Sequence, residues 1–332
     1  MKKTYINNNF IMKNYFILPF CFVFLFFSAF SQNKILILNG FLHIGNGESI
    51  KNALIGIENG KITQVENSLT STYKIEEWDT IINVKGHHIY PSFIAPNSTL
   101  GLTEIDAVRA TRDYREVGEL NPHIRSQIAY NVESKVISTV LTNGVLICQA
   151  TLRGGVISGT SSIMKLNGWN WEDATINGND GIHINWPSVK WNKEKIKSYL
   201  VDYNKKIKAL EDFFSLAITS QKKRKDSIDI RLKAMNPCLN GFQRIYFHAN
   251  EIQQILDIIS FVEKFQIKFP VIVGGYDAPL AGKRLKDANI PVMIKRVHGL
   301  PDMPDEKLNY PYKLPSLLKN EGILFCLENS GD

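Results

Sequence analysis

Cysteine is scarce in this sequence, at 4 of 332 residues, which excludes a small scaffold stapled by disulfides. A surplus of one charge is nearly absent too. Lys and Arg number 39 against 32 Asp and Glu, and three of the surplus cations (Lys2, Lys3 and Lys13) fall in an opening stretch without acids. So small an excess over a long chain gives no reason to expect a nucleic acid partner. The run Lys222-Lys-Arg-Lys225 is read as a solvated helix face, because acids are interleaved along that stretch and stacking aromatics are not. There is no Gly-x-Gly-x-x-Gly turn, no Walker A loop, no Cys-x-x-Cys and no His-Glu-x-x-His. Gly155-Val-Ile-Ser158-Gly159 is one residue too long for a nucleophile elbow. Internal repeats and low-complexity linkers are missing as well. What is present, 44% hydrophobic against 21% charged residues, excludes a disordered chain and suits one large α/β domain with an accessory piece.

Residues 1–31 read as a secretory signal peptide. A basic, Asn-rich start precedes the apolar run Tyr15 to Phe30, and Ala29 and Ser31 supply the small residues of a cleavage site. Polar Gln32-Asn33 follow at once, so no stable membrane span is expected after cleavage and the product is periplasmic or secreted. Cys148, Cys238 and Cys326 remain, each in apolar or mixed surroundings, and are read as buried thiols.

From 32 to 85 the pattern is short strands and tight turns. Lys34 to Leu38 runs into Asn39-Gly40, and Ala53 to Ile57 runs into Glu58-Asn59-Gly60-Lys61. Asn-Gly tolerates positive φ at both central positions, so each pair predicts a two-residue hairpin. From 86 onward strands alternate with helices. Arg244 to His248, Phe269 to Val273, Ile290 to Ile294 and Ile323 to Leu327 read as strands. Glu251 to Phe265 reads as a helix burying Ile252, Ile255, Ile259 and Val262. Units of this size imply parallel pairing with right-handed crossovers. Gly144 to Cys148 and Ile157 to Leu166 are further strand candidates. Asn192 to Ala234 reads as a long helical stretch with Ile196, Leu200, Tyr203, Ile207, Leu210 and Phe214 on one face. The histidines (His43, His87, His88, His123, His183, His248 and His298) show no ligand spacing among themselves.

These segments carry a resemblance. Lys34 to Glu66 resembles the N-terminal sandwich strands of the amidohydrolase superfamily, and Gly86-His-His-Ile-Tyr-Pro-Ser-Phe-Ile-Ala-Pro-Asn-Ser-Thr is similar to the segment that ends its first barrel strand. Glu104 to Asp173 resembles the exported, imidazolonepropionase-like branch. Phe247-His-Ala-Asn resembles the fifth-strand histidine motif there, and Ser330-Gly-Asp332 the eighth-strand aspartate. The resemblance implies a (β/α)₈ TIM-like barrel with a small N-terminal β-sandwich portion. It implies one or two divalent metal ions, zinc by preference, at the C-terminal ends of the strands, where they activate water against an amide, lactam or cyclic imide. His248 and Asp332 are the implied metal ligands, with Asp332 also the catalytic base. Gly274, Tyr276 and Asp277, just past a strand end, are expected to line the pocket of a small-molecule substrate.

The first-strand motif departs from the pattern. Where the family carries two histidines one residue apart, this chain has Asn97 and Thr99, so these are degenerate metal positions. The sixth-strand histidine is replaced within Gly274-Gly275-Tyr276, and no fourth-strand ligand is identified. The sequence stops at Asp332, so the barrel (86–332) is expected to be C-terminally incomplete. The overall resemblance favours metal-dependent hydrolysis of non-peptide C–N bonds (amide, lactam or cyclic imide), and that is the expected function; the alternatives are a catalytically dead homologue that binds a ligand and a non-functional gene fragment.

Overall fold

A computed structural model of the chain describes residues 34–188, 196–221, 229–302 and 306–328. The expected signal peptide, the Lys222 to Lys225 run and Asp332 lie outside the described residues. The chain forms two compact units, one ending at Pro91 and one beginning at Ser92.

The first unit is a single five-stranded sheet. Its strands are β1 (Lys34–His43), β2 (Ser49–Glu58), β3 (Lys61–Asn67), β4 (Thr80–Asn83) and β5 (His88–Ile89), in the order β3-β2-β1-β4 with β5 also on β1. Asn59-Gly60 makes the expected tight turn, with φ of +52° and +75°. Asn39-Gly40 does not. β1 runs straight through it to His43, with the register shifting between Leu38 and Gly40, and Asn39 at φ +64° makes a bulge. Gly40 is needed there because a Cβ would come within 2.5 Å of Ile89 Cδ1. The tolerance of positive φ that marks a hairpin also marks a bulge, so the dipeptide alone does not separate them.

The second unit is a mixed α/β fold around an eight-stranded, nearly closed barrel sheet. In chain order it contains β6 (Phe93–Ser98), α1 (Lys135–Leu141), β7 (Val145–Ala150), β8 (Ile157–Lys165), α2 (Trp171–Ala174) and β9 (Thr175–Asn185). There follow α3 (Ile196–Ser220), α4 (Ile230–Ala234), α5 (Asn236–Leu239), β10 (Arg244–Ala249), α6 (Ile252–Phe265) and β11 (Pro270–Gly274). The unit closes with α7 (Gly282–Asp287), β12 (Val292–Ile294), α8 (Tyr310–Glu321) and β13 (Phe325–Leu327). Sheet order follows chain order from β6 to β13. Neighbours are parallel except β8, which is antiparallel to both β7 and β9. This corrects the expectation of a uniformly alternating barrel. Only Thr151 to Val156 link β7 to β8, and so short a link cannot make the crossover that a parallel partner requires.

From β9 onward each strand alternates between two environments, as period-2 geometry dictates. Ile245, Phe247, Ile272, Val292 and Ile294 face the helix layer, where they pack with Phe214, Ile255, Ile259, Phe261, Leu285 and Leu318. Tyr246, Val271, Val273 and Met293 form a separate buried cluster. Helix α6 buries the expected face, and its Glu251–Gln254 capping box fixes where it begins. In α3, Tyr203, Leu210 and Phe214 are buried but Leu200 stays exposed. Cys148 and Cys238 are buried as expected, whereas Cys326, on the short edge strand β13, is exposed.

Candidate functional site

The C-terminal ends of the parallel strands converge on a cavity of about 350 Å³. Asn97 comes from β6, Arg153 from the turn after β7, Asn185 from β9, His248 from β10, Val273 from β11 and Lys295 from the residue after β12. Strand-end convergence of this kind is where barrel enzymes and binding proteins place their ligands.

Two histidines that are 65 residues apart meet behind this cavity. His183 Nδ1 lies 2.9 Å from His248 Nε2. On neighbouring strands Asn185 registers with His248 and His183 with Tyr246, so all four side chains share one face. The His183 ring stacks on Tyr246 with centroids 4.5 Å apart. Burial pulls the His248 imidazolium down to about 3, with the Arg153 and Lys295 charges adding to the effect. His183 is displaced the same way, by burial first, then by His248 and Arg153. Both rings are therefore neutral at physiological pH, and one donates to the other. His183 Nε2 is buried without a hydrogen-bond partner.

Asn97 is buried and adopts φ +47°. Its side chain accepts a 2.8 Å hydrogen bond from Arg153 Nη1, and its carbonyl accepts one of 2.7 Å from Nη2. Its own N–H donates to Gln149 Oε1 at 2.9 Å. The Gln149 amide donates in turn to Asp180. The guanidinium at the mouth is thus anchored by a buried polar chain that crosses from β6 through β7 to β9. The other wall belongs to Gln254, whose amide donates to the carbonyl of Pro187 and whose oxygen accepts from the Asn250 and Glu251 amides.

The remaining expected residues fall elsewhere. Thr99 lies just beyond β6 and lines a second cavity, of about 710 Å³, between the edge strands β6 and β13, together with Ile94, Val140, Arg296, Leu327 and Glu328. The alternation that would put residues 97 and 99 on one face is broken by the left-handed backbone at Asn97, so the two do not share a site. Gly274 has φ +101°, and a Cβ there would collide with the Asn250 side chain, so it is a packing glycine rather than a contact. Tyr276 and Asp277 turn away from the mouth. The Tyr276 hydroxyl donates to Glu306 at 2.6 Å, and the ring packs on Tyr310. Asp277 accepts from the Ile252 amide at 2.9 Å, tying down the start of α6. Residues past a strand end line a pocket only if the chain continues inward, and here the positive-φ pair Gly274-Gly275 redirects it.

The described donors at this cavity do not make up a set for a divalent metal. Among the described residues no group of three or more His, Cys, Asp or Glu is placed to hold an ion. The first-strand position is tied to a guanidinium, and a cation beside His248 would face both Arg153 and Lys295.

No family model and no curated protein matches this chain. Among solved structures, an amidohydrolase from Thermotoga maritima is similar over 89% of this chain and 78% of its own, with a TM-score of 0.68 and 19% identity. Ochratoxinase of A. niger aligns over 90% of this chain and 77% of its own, at TM-score 0.40 and 11% identity. The first likeness shows the fold alone: a barrel of the kind seen in that amidohydrolase.

Proposed function

We propose that this chain is an amidohydrolase-like protein that binds a small molecule at the strand-end cavity without a resident metal. As built, its hydrolysis of amides, lactams or cyclic imides stays near background. The observation that carries the reading is the paired hydrogen bond from Arg153 to Asn97. It puts a permanent cation where the family resemblance puts the first metal-binding histidines. The apolar run Tyr15 to Phe30 supports export, so the protein would meet its ligand outside the cytoplasm.

A second reading, metal-dependent hydrolysis of the same substrate class, is favoured by one feature. His183 and His248 are neutral imidazoles on adjacent strand ends, and neutral imidazole is the form that ligates zinc. Elemental analysis of the dialysed full chain separates the two. The expected result is metal well below one zinc per chain, with turnover of amide and lactam substrates unchanged by added zinc. Tightly held, stoichiometric zinc would establish the second reading.

A further inference from the structure

A different cavity, of about 570 Å³, is formed within the loop that joins β6 to α1. Its walls include Arg109, Arg112, Tyr114, Arg115, Glu116 and Glu119, and it shares no lining residue with the strand-end cavity. The loop is long, but its backbone is pinned on both sides of the arginines. Thr111 Oγ1 accepts from the Ile105 amide at 3.1 Å and lies 2.9 Å from the carbonyl oxygens of Ile105 and Val108. The Asp113 amide donates to the Leu102 carbonyl at 2.8 Å, and the Tyr114 carbonyl accepts from the amide of residue 153 at 2.7 Å. The Glu119 carbonyl accepts from the Val156 and Ile157 amides, at 2.8 Å each.

The Gly154-Gly155 turn, conspicuous in the sequence, is what lets this loop lie so close. The two glycines take φ of +86° and +64°. A Cβ on Gly154 would stand 2.7 Å from Arg115 Nε, and one on Gly155 would stand 2.9 Å from the Gly118 carbonyl oxygen. Backbone and turn together set where three guanidinium groups start from, so ordering them on a ligand costs side-chain freedom alone.

Those three cations do not spend their charge on the chain itself. Among the described residues no ion pair and no side-chain hydrogen bond engages Arg109, Arg112 or Arg115. Two carboxylates stand in the same lining, yet neither closes on an arginine. Glu116 turns instead to the Val117 amide, at 2.8 Å. Arg112 is half-buried, and Arg109 and Arg115 are exposed. A guanidinium is weakly hydrated and presents its donors as a rigid fork that matches an oxyanion. Two carboxylate oxygens satisfy one fork, whereas a phosphate or sulfate group brings three or more acceptor oxygens and can use several.

We propose that the 109–119 loop is a binding site for a ligand bearing a phosphate or sulfate group, held by Arg109, Arg112 and Arg115. The site stands apart from the strand-end cavity and does not depend on the function proposed for it.

Calorimetric titration of the full chain with inorganic phosphate, sulfate and acetate, at matched ionic strength, tests the assignment. Phosphate or sulfate is expected to bind at one site per chain and to weaken as sodium chloride is raised, with acetate at least ~tenfold weaker. The tighter of the two tetrahedral anions assigns the ester class. Arg109→Gln and Arg112→Gln should each weaken that anion roughly tenfold with the thermal midpoint unchanged. Arg284→Gln, on the exposed side of α7, should leave binding as it is and so controls for the loss of one surface charge. Acetate binding as tightly as the tetrahedral anions would overturn the proposal, and so would the absence of binding by either. Binding that survives both loop substitutions would place the anion elsewhere and overturn it too. None of these outcomes touches the strand-end reading, which its own metal analysis decides.

Discussion

Acidification below about pH 6.5 destabilises this protein steeply, because two buried histidines refuse protons that the unfolded chain accepts. An exposed imidazole titrates near 6.5. In the native state burial, seconded by Arg153 and Lys295, holds His248 down at about 3, and His183 is displaced in the same direction by burial, His248 and Arg153. Above pH 6.5 both rings are neutral in both states and the contribution to stability is fully present. Between 6.5 and about 3 His248 takes a proton only in the unfolded chain, so stability falls there by up to about 1.4 kcal/mol per pH unit, and His183 steepens the fall. For His248 alone that is roughly 2 kcal/mol by pH 5, against the ~5–15 kcal/mol typical of a folded domain, and His183 adds to the loss in the same direction. Glu251 and Asp277 work the other way, since burial raises their carboxyls, but both are only partly buried and act lower in the pH range. Urea unfolding at pH 7.5, 6.5, 5.5 and 4.5 measures the slope. His248→Gln and His183→Gln should each reduce it. A wild-type stability that stays level from 7.5 to 5.5 would show that the rings become charged in place.

What the sequence made legible was local, and what it hid was long-range. Strands β10, β11 and β12 and helix α6 announce themselves because a short apolar run between turns, or an apolar stripe at helical spacing, leaves few alternatives. The reversed strand β8 was harder. Ile157 to Leu166 reads as a strand in either direction, and only the brevity of the link from Ala150 fixes which way it runs. The His183–His248 pair has no sequence spacing at all. Its one trace is that each ring sits inside an apolar strand, in Gly-Ile-His-Ile-Asn and Tyr-Phe-His-Ala, where a polar residue needs a buried partner. Arg153 carries little sequence signal for a related reason. The Gly154-Gly155 turn beside it is conspicuous, while its anchor, Asn97, lies 56 residues back. Tyr276 and Asp277 erred in the opposite sense, since proximity to a strand end in sequence did not survive the turn at Gly274-Gly275.

Replacing Asp180 with alanine is expected to destabilise the second unit strongly. The carboxylate is 5% exposed and gathers donors from four directions. It accepts from the Tyr246 hydroxyl at 2.7 Å, the Gln149 amide at 2.8 Å, the Ser161 hydroxyl at 3.4 Å and Arg244 at 3.3 Å. Truncation leaves the Tyr246 hydroxyl without its acceptor and leaves the Gln149 amide only its 3.3 Å bond to Ser161, and removing one member of such a buried charged network typically costs about 3–5 kcal/mol. Tyr246→Phe removes one bond and keeps the ring on His183, so it should cost only about 1 kcal/mol. The double variant should be less unstable than the sum of the two, because the second change deletes a donor that the first has already orphaned. The effect also reaches the mouth. Gln149 is held by Asp180, Asn97 by Gln149, and Arg153 by Asn97, so releasing the first link frees the guanidinium to leave its plane. Urea unfolding reads the stability cost. Asp180→Ala costing under about 1 kcal/mol would mean that water replaces the carboxylate and that the chain of bonds to Arg153 carries no load.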